Sequence, residues 1–123
     1  MTQAAFGEFC WNELATSDVK KAKDFYGKVF GWQFREIESK EMTYTLIQCN
    51  DKEMAGIWQI PKDQQSHIPP HWMAYIYVQD VSEALKKAKQ HGAQEVKGIT
   101  QAGEMGLIVD PTGAHVALWE SFE

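Results

Sequence analysis

Apolar positions recur along the chain in two rhythms, one near two residues and one near 3.6. From Glu8 to Leu14 the period is two: Trp11 and Glu13 share one face, and Cys10, Asn12 and Leu14 the other. Ser17 or Asp18 then offers an N-cap oxygen to the amides that open a helix. Val19, Ala22, Phe25, Tyr26, Val29 and Phe30 form one apolar stripe at helical spacing, and Gly31 is a natural stop. Strands are predicted at Trp32–Glu38, Met42–Cys49 and Met54–Ile60, with Asn50 to Lys52 as the turn before the last. Pro61 to Pro70 is polar and proline-flanked, and reads as an exposed linker.

The same succession then returns. His71–Val78 reads as a strand with Met73, Tyr75 and Tyr77 on one face. A helix from Asp80 to about His91 buries Val81, Ala84, Leu85 and Ala88, and Gly92 ends it. Ala93–Lys97, Met105–Asp110 and Ala114–Trp119 are strands, the last two joined by a hairpin turn at Asp110-Pro111-Thr112-Gly113. The order is βαβββ, a linker, then βαβββ. Asp18-Val19 with Ala22, and Asp80-Val81 with Ala84, repeat one D-V-x-x-A pattern at the two helix starts. Such a repeat marks two similar modules. The expectation is one domain over residues 1–123, with module one at about 6–60, the linker at 61–70, module two at about 71–120, and a cavity near their junction.

Composition narrows the partners. A formal net charge of -5 argues against a phosphate backbone, which wants a basic face. No apolar run is long enough to span a membrane, and the first residues lack a signal peptide's charged and apolar regions. Cys10 and Cys49 lie in separate strand segments and read as reduced thiols of a cytoplasmic protein, with a disulfide as the minor alternative.

The stretches Asp18-Val19, Phe25-Tyr26 and Val29-Phe30-Gly31-Trp32 carry a further signal. With Val78, Asp80-Val81, Ala84, Gly92-Ala93 and the Asp110-Pro111-Thr112-Gly113 turn, they resemble the vicinal oxygen chelate superfamily. That group includes glyoxalase I, extradiol dioxygenases, fosfomycin resistance enzymes and bleomycin-binding proteins, and this chain looks most like its small glyoxalase-like members. The resemblance implies an α+β fold in which two βαβββ modules form an open, curled mixed-sheet barrel. In metal-dependent members the ion is held by the first and fourth strands of each module. Carried over, those positions fall on Trp11, on Gly56, Ile57 or Trp58, on Met73 and on Ala117. None supplies the His or Glu that such a cation needs, so no metal and no other cofactor is expected.

Strand parity leaves two polar residues among the inward aromatics: Glu13 beside Trp11, and His115 beside Ala117 and Trp119. Glu120 has the opposite parity, while His67 and His71 straddle Pro69-Pro70 and read as linker residues in water. Trp11, Glu13, Trp58, Met73, Tyr75, Tyr77, His115 and Trp119 are therefore the candidate ligand-binding residues, with Glu13 and His115 as candidate catalytic groups. The bland alternative is that these aromatics simply fill a core. One functional reading is a metal-free protein that binds a small aromatic or amphipathic molecule. Another is a lyase, isomerase or dioxygenase-type enzyme using Glu13 and His115, with or without a displaced divalent metal. A third is an accessory domain acting through protein contacts. The expected partners are a small molecule and, by the resemblance, a second copy of the chain, with no nucleic acid and no membrane.

Overall fold

A computed structural model of the chain describes residues 5–38, 43–96 and 105–120. These fall into two compact units, one from Trp11 to Trp72 and the other made of the residues up to Cys10 with those from Met73 onward. The predicted βαβββ succession occurs twice. The first set is β1 (Phe9–Thr16), α1 (Val19–Phe30), β2 (Gln33–Glu38), β3 (Thr43–Cys49) and β4 (Lys52–Gln59). The second is β5 (His71–Tyr77), α2 (Val81–Gln90), β6 (Gln94–Glu95), β7 (Met105–Val109) and β8 (His115–Trp119).

Both sets are wired alike. The first runs β2-β3-β4-β1, with β1 parallel to β4 and the other neighbours antiparallel. The second runs β5-β8-β7-β6, with β5 parallel to β8 and the rest antiparallel. The repeat read from two helix starts thus extends to the hydrogen-bonding order of the strands.

Local chemistry explains the element ends. Asp18, not Ser17, caps α1 by accepting from the Lys21 amide, and Asp80 caps α2 through the Glu83 amide. Gly31 closes α1 at φ 74°, where a side chain would be strained. Asn50 and Asp51 both have positive φ, 54° and 65°, and form the two-residue turn that pairs Cys49 with Lys52. β4 therefore starts two residues before the predicted Met54. The linker holds a short 3-10 turn at Lys62–Gln64. Of the predicted strand ends, Met42 and Lys97 lie outside the described residues.

Each helix covers one face of its own strands. Under α1, Leu14, Ile47, Ala55 and Ile57 form a buried cluster against Val19, Ala22 and Tyr26. Under α2, Val78, Val81, Ile108 and Leu118 pack with Ala84, Leu85 and Ala88, as the second stripe predicted. The first stripe is only partly covered: Phe25, Val29 and Phe30 stay more than half exposed. Periodicity gives a stripe's direction, but its covered width depends on where the sheet beneath it ends. No helix is long and apolar enough among the described residues to cross a membrane.

Candidate functional site

Opposite residues on paired strands point to the same side of a sheet, so register identifies the face that α1 does not cover. Glu13 lies opposite Gly56 and Ala15 opposite Trp58 in the parallel pair. Leu46 lies opposite Gly56, which puts Tyr44 on this side as well. Trp11, Glu13, Tyr44, Gly56 and Trp58 therefore share one face. Trp11, Glu13 and Trp58 are all nearly closed to solvent, at 4%, 5% and 3% exposure.

The polar atoms of this face form a chain. The Trp11 indole N–H donates to the Tyr44 hydroxyl at 3.0 Å, and that hydroxyl donates to Glu13 Oε2 at 2.7 Å. The indole is donor-only, so it fixes the direction of both bonds: Tyr44 accepts from Trp11 and turns its proton to the carboxylate. Burial, reinforced by the Glu13 charge and the bond to it, pushes the Tyr44 phenol well above its usual range. Tyr44 is thus a permanent donor that holds Glu13 in place.

Gly56 makes room for this arrangement. A Cβ built on Gly56 would overlap the Tyr44 hydroxyl and the adjacent ring carbons. Glycine inside a strand often marks such a close approach. That was the available signal for Tyr44, which parity analysis of the first and last strands alone passes over. Nearer β2, Arg35 lies opposite Leu46 and grips Glu53, whose carboxyl it holds below the usual range.

The second unit presents the corresponding face. Tyr75 and Leu107 lie opposite Ala117, Tyr77 and Met105 opposite Trp119, and Val109 opposite His115. Met73, Tyr75, Tyr77, His115 and Trp119 thus share a side, as parity predicted. Tyr75 is buried at 4% exposure, and its hydroxyl reaches the Met105 sulfur at 3.8 Å. His115, the first residue of β8, is exposed. Glu120 points to the other side and accepts from the Val81 amide at 2.7 Å, adding a second carboxylate to the start of α2. His67 is exposed, and His71 places Nδ1 2.7 Å from the Pro69 carbonyl. The candidates therefore divide, with Trp11, Glu13 and Trp58 on one unit and the other five on its companion.

Among the described residues, no three His, Cys, Asp or Glu side chains stand together as a metal-holding group. Cys10 and Cys49 form no disulfide, and burial raises the Cys10 thiol above its ordinary range.

Comparison with known proteins places this architecture. The chain is 34% identical over 116 residues to "Putative glyoxylase CFP32" of Mycobacterium tuberculosis, a match covering 90% of this chain and 44% of that protein. It is 25% identical to "Anthracycline biosynthesis protein DnrV" of Streptomyces peucetius, over 93% of this chain and 42% of the relative. The chain thus spans less than half the length of these curated relatives. Methylmalonyl-CoA epimerase from Mycobacterium tuberculosis superposes with a TM-score of 0.63 at 15% identity, covering 100% of this chain and 94% of the epimerase. At that identity the likeness establishes the α+β, glyoxalase-like fold. A sequence profile matches from residue 8 to residue 118, and the chain belongs to the Glyoxalase/Bleomycin resistance protein/Dioxygenase superfamily.

Proposed function

We propose that this protein binds a small aromatic or amphipathic molecule against the aromatic sheet faces of its modules, without a metal ion. The observation that carries this reading is the Tyr44 hydroxyl lying over Gly56 between Trp11 and Glu13. Trp11 and Gly56 stand where the family resemblance would put two ligands of an ion. Neither offers a donor of the kind a divalent cation takes, and the space over Gly56 is filled by a phenol. Met73 and Ala117, at the corresponding positions of the second module, are equally unsuited. The residues do not fit a divalent ion. For a flat apolar ligand, each unit's face carries rings of its own, Trp11 and Trp58 beside Glu13 on one and Tyr75, Tyr77 and Trp119 on the other.

Native mass spectrometry of the gently purified protein tests this. The apo mass, or a mass with an organic adduct, is expected. A stoichiometric zinc, nickel, manganese or iron adduct overturns the metal-free reading.

The burial of Glu13 beside Trp11 favours a second reading, in which the chain is a lyase or isomerase with Glu13 as general base and His115 as proton donor. The epimerase fold likeness lends it support. The Tyr44 bond weighs against it, because a donor to the charged form weakens a carboxylate as a base. Turnover unchanged in Glu13→Gln and His115→Ala removes this alternative.

A cytoplasmic setting and self-association complete the proposal. Phe25, Phe30 and Trp72, at 55%, 57% and 42% exposure, each contact Tyr26. Together they expose on the order of 300 Å² of apolar surface, enough for the dry centre of a standard interface. A second copy of the chain is the occupant that fits this reading.

A further inference from the structure

We infer that the second unit carries a further binding site, a cleft beside α2 that takes a small aromatic carboxylate. It lies on the side of the strands that α2 covers, away from the aromatic face of that unit, and does not rest on the proposed function. The internal repeat explains why the cleft exists. Counted from the capping aspartates, Lys87 and Ala88 occupy the positions that Phe25 and Tyr26 hold in α1. In α1, Phe25 packs edge-on against Tyr26 at 5.0 Å and Trp72 does so at 5.6 Å, so rings fill that flank of the helix. In α2 the Tyr26 ring is replaced by the methyl group of Ala88. Among the described residues, that flank borders a cleft of about 780 Å³, and ligand pockets commonly span roughly 300–1,000 Å³.

The lining has an apolar part and a charged part. Ile108 and Leu118 form a floor beside Ala84 and Ala88, and the Phe6 ring, 67% exposed, stands at its edge. A ring laid on this floor removes apolar surface from water and gains an aromatic neighbour in Phe6. Charge is graded along the helix. Asp80 and Glu83 border the cleft at the N-terminal end, where Asp80 already accepts from the Glu83 amide. Lys86, Lys87 and His91 border it at the other end, where Ala88 leaves room. Among the described residues neither Lys86 nor Lys87 makes an ion pair, whereas Lys89 is held by Glu95. Both ammonium groups are thus open to an anion, and Asp80 and Glu83 repel one placed the other way round. A ring over Ala88 with its carboxylate toward Lys87 satisfies both parts of the lining.

Titration of the isotope-labelled intact protein with 2-naphthoate and with the neutral 2-naphthylmethanol, followed by amide chemical shifts, tests the inference. The acid is expected to shift the amides of Ala84, Lys87, Ala88, Ile108 and Leu118. It should bind about two- to fivefold more tightly than the alcohol, the worth of an exposed charge pair, and Lys86→Gln with Lys87→Gln should remove that preference. Ala88→Tyr puts back the ring found in α1 and should weaken 2-naphthoate by about tenfold or more. Shifts confined to the opposite face, at Tyr75 and Trp119, overturn the inference and favour the proposed function instead. No shift at about 5 mM probe, near the weakest binding such a site would show, overturns it too. An alcohol that binds as tightly as the acid overturns the assignment of a carboxylate. Cleft amides that move when the protein alone is diluted would make a second copy the occupant, and the inference falls. The wild-type shift map decides the matter even where a variant does not fold.

Discussion

At the scale of single residues, Tyr44 and Gly56 define each other. Any side chain at position 56 must displace a phenol that is tied on both sides, to Trp11 and to Glu13. Gly56→Ala is therefore expected to cost about 1–3 kcal/mol through overpacking, measured by urea unfolding. The cost should fall by about 1 kcal/mol or more when Tyr44→Ala is already present, since contacting residues couple. Additive losses in the double variant would mean that the two do not touch. The raised Tyr44 phenol sets a pH dependence as well. Because the fold favours its neutral form, its contribution is complete below the ordinary tyrosine value of about 10 and declines as pH rises beyond it. Wild type should lose more stability than Tyr44→Phe between about pH 10 and 11.5, and equal losses would assign the effect to other groups. Asp110 works in the opposite direction. The Thr112 hydroxyl and the amides of Ala114 and Thr112 donate to its carboxylate and lower its range. Its contribution to the turn is therefore present above about pH 4 and lost on acidification.

Secondary-structure elements were the most legible part of the sequence, because their causes are local. Asp18, Asp80 and Gly31 do what their residue types and positions suggest, and the caps are separable from the rest of the fold. Asp18→Ala and Asp80→Ala should each cost about 1 kcal/mol, read from denaturation midpoints. Loss in α2 should be the smaller of the two, because Glu120 also reaches its first turn through the Val81 amide. Equal losses would show that Glu120 adds nothing. What the sequence concealed depends on distant partners. Tyr44 looks like any aromatic on a strand until Glu13, 31 residues earlier, is seen beside it. Phe25, Val29 and Phe30 look as buried as Val19 and Ala22, because a helical period carries no information about how far the sheet below extends. Face assignment succeeded where period two suffices, as for Trp11 with Glu13 and Tyr75 with Tyr77. Chemistry that requires a third strand was not readable from parity.

For the whole molecule, the exposed aromatic group around Tyr26 gives the clearest expectation. Trp72 donates to the Tyr26 hydroxyl at 3.1 Å and packs edge-on against Tyr26 and Trp32, so this surface is ordered rather than ragged. Sedimentation velocity should show a concentration-dependent dimer that Phe25→Glu with Phe30→Glu dissociates. These two positions are half exposed already, so the monomeric variant should keep its fold. A wild type that stays monomeric at about 100 μM, where even weak interfaces begin to fill, would remove self-association from the functional picture.

The interlock of Tyr44 with Gly56 also acts as a ratchet on descent. One route to an ion-binding side chain at position 56 loses the tyrosine first, and that step takes a hydrogen bond from Glu13 and another from Trp11. Placing the new side chain first meets a steric clash instead. Either route passes through a less stable intermediate, so no single substitution completes the change. With a phenol over this glycine, an ion-binding side chain at position 56 is more than one substitution away.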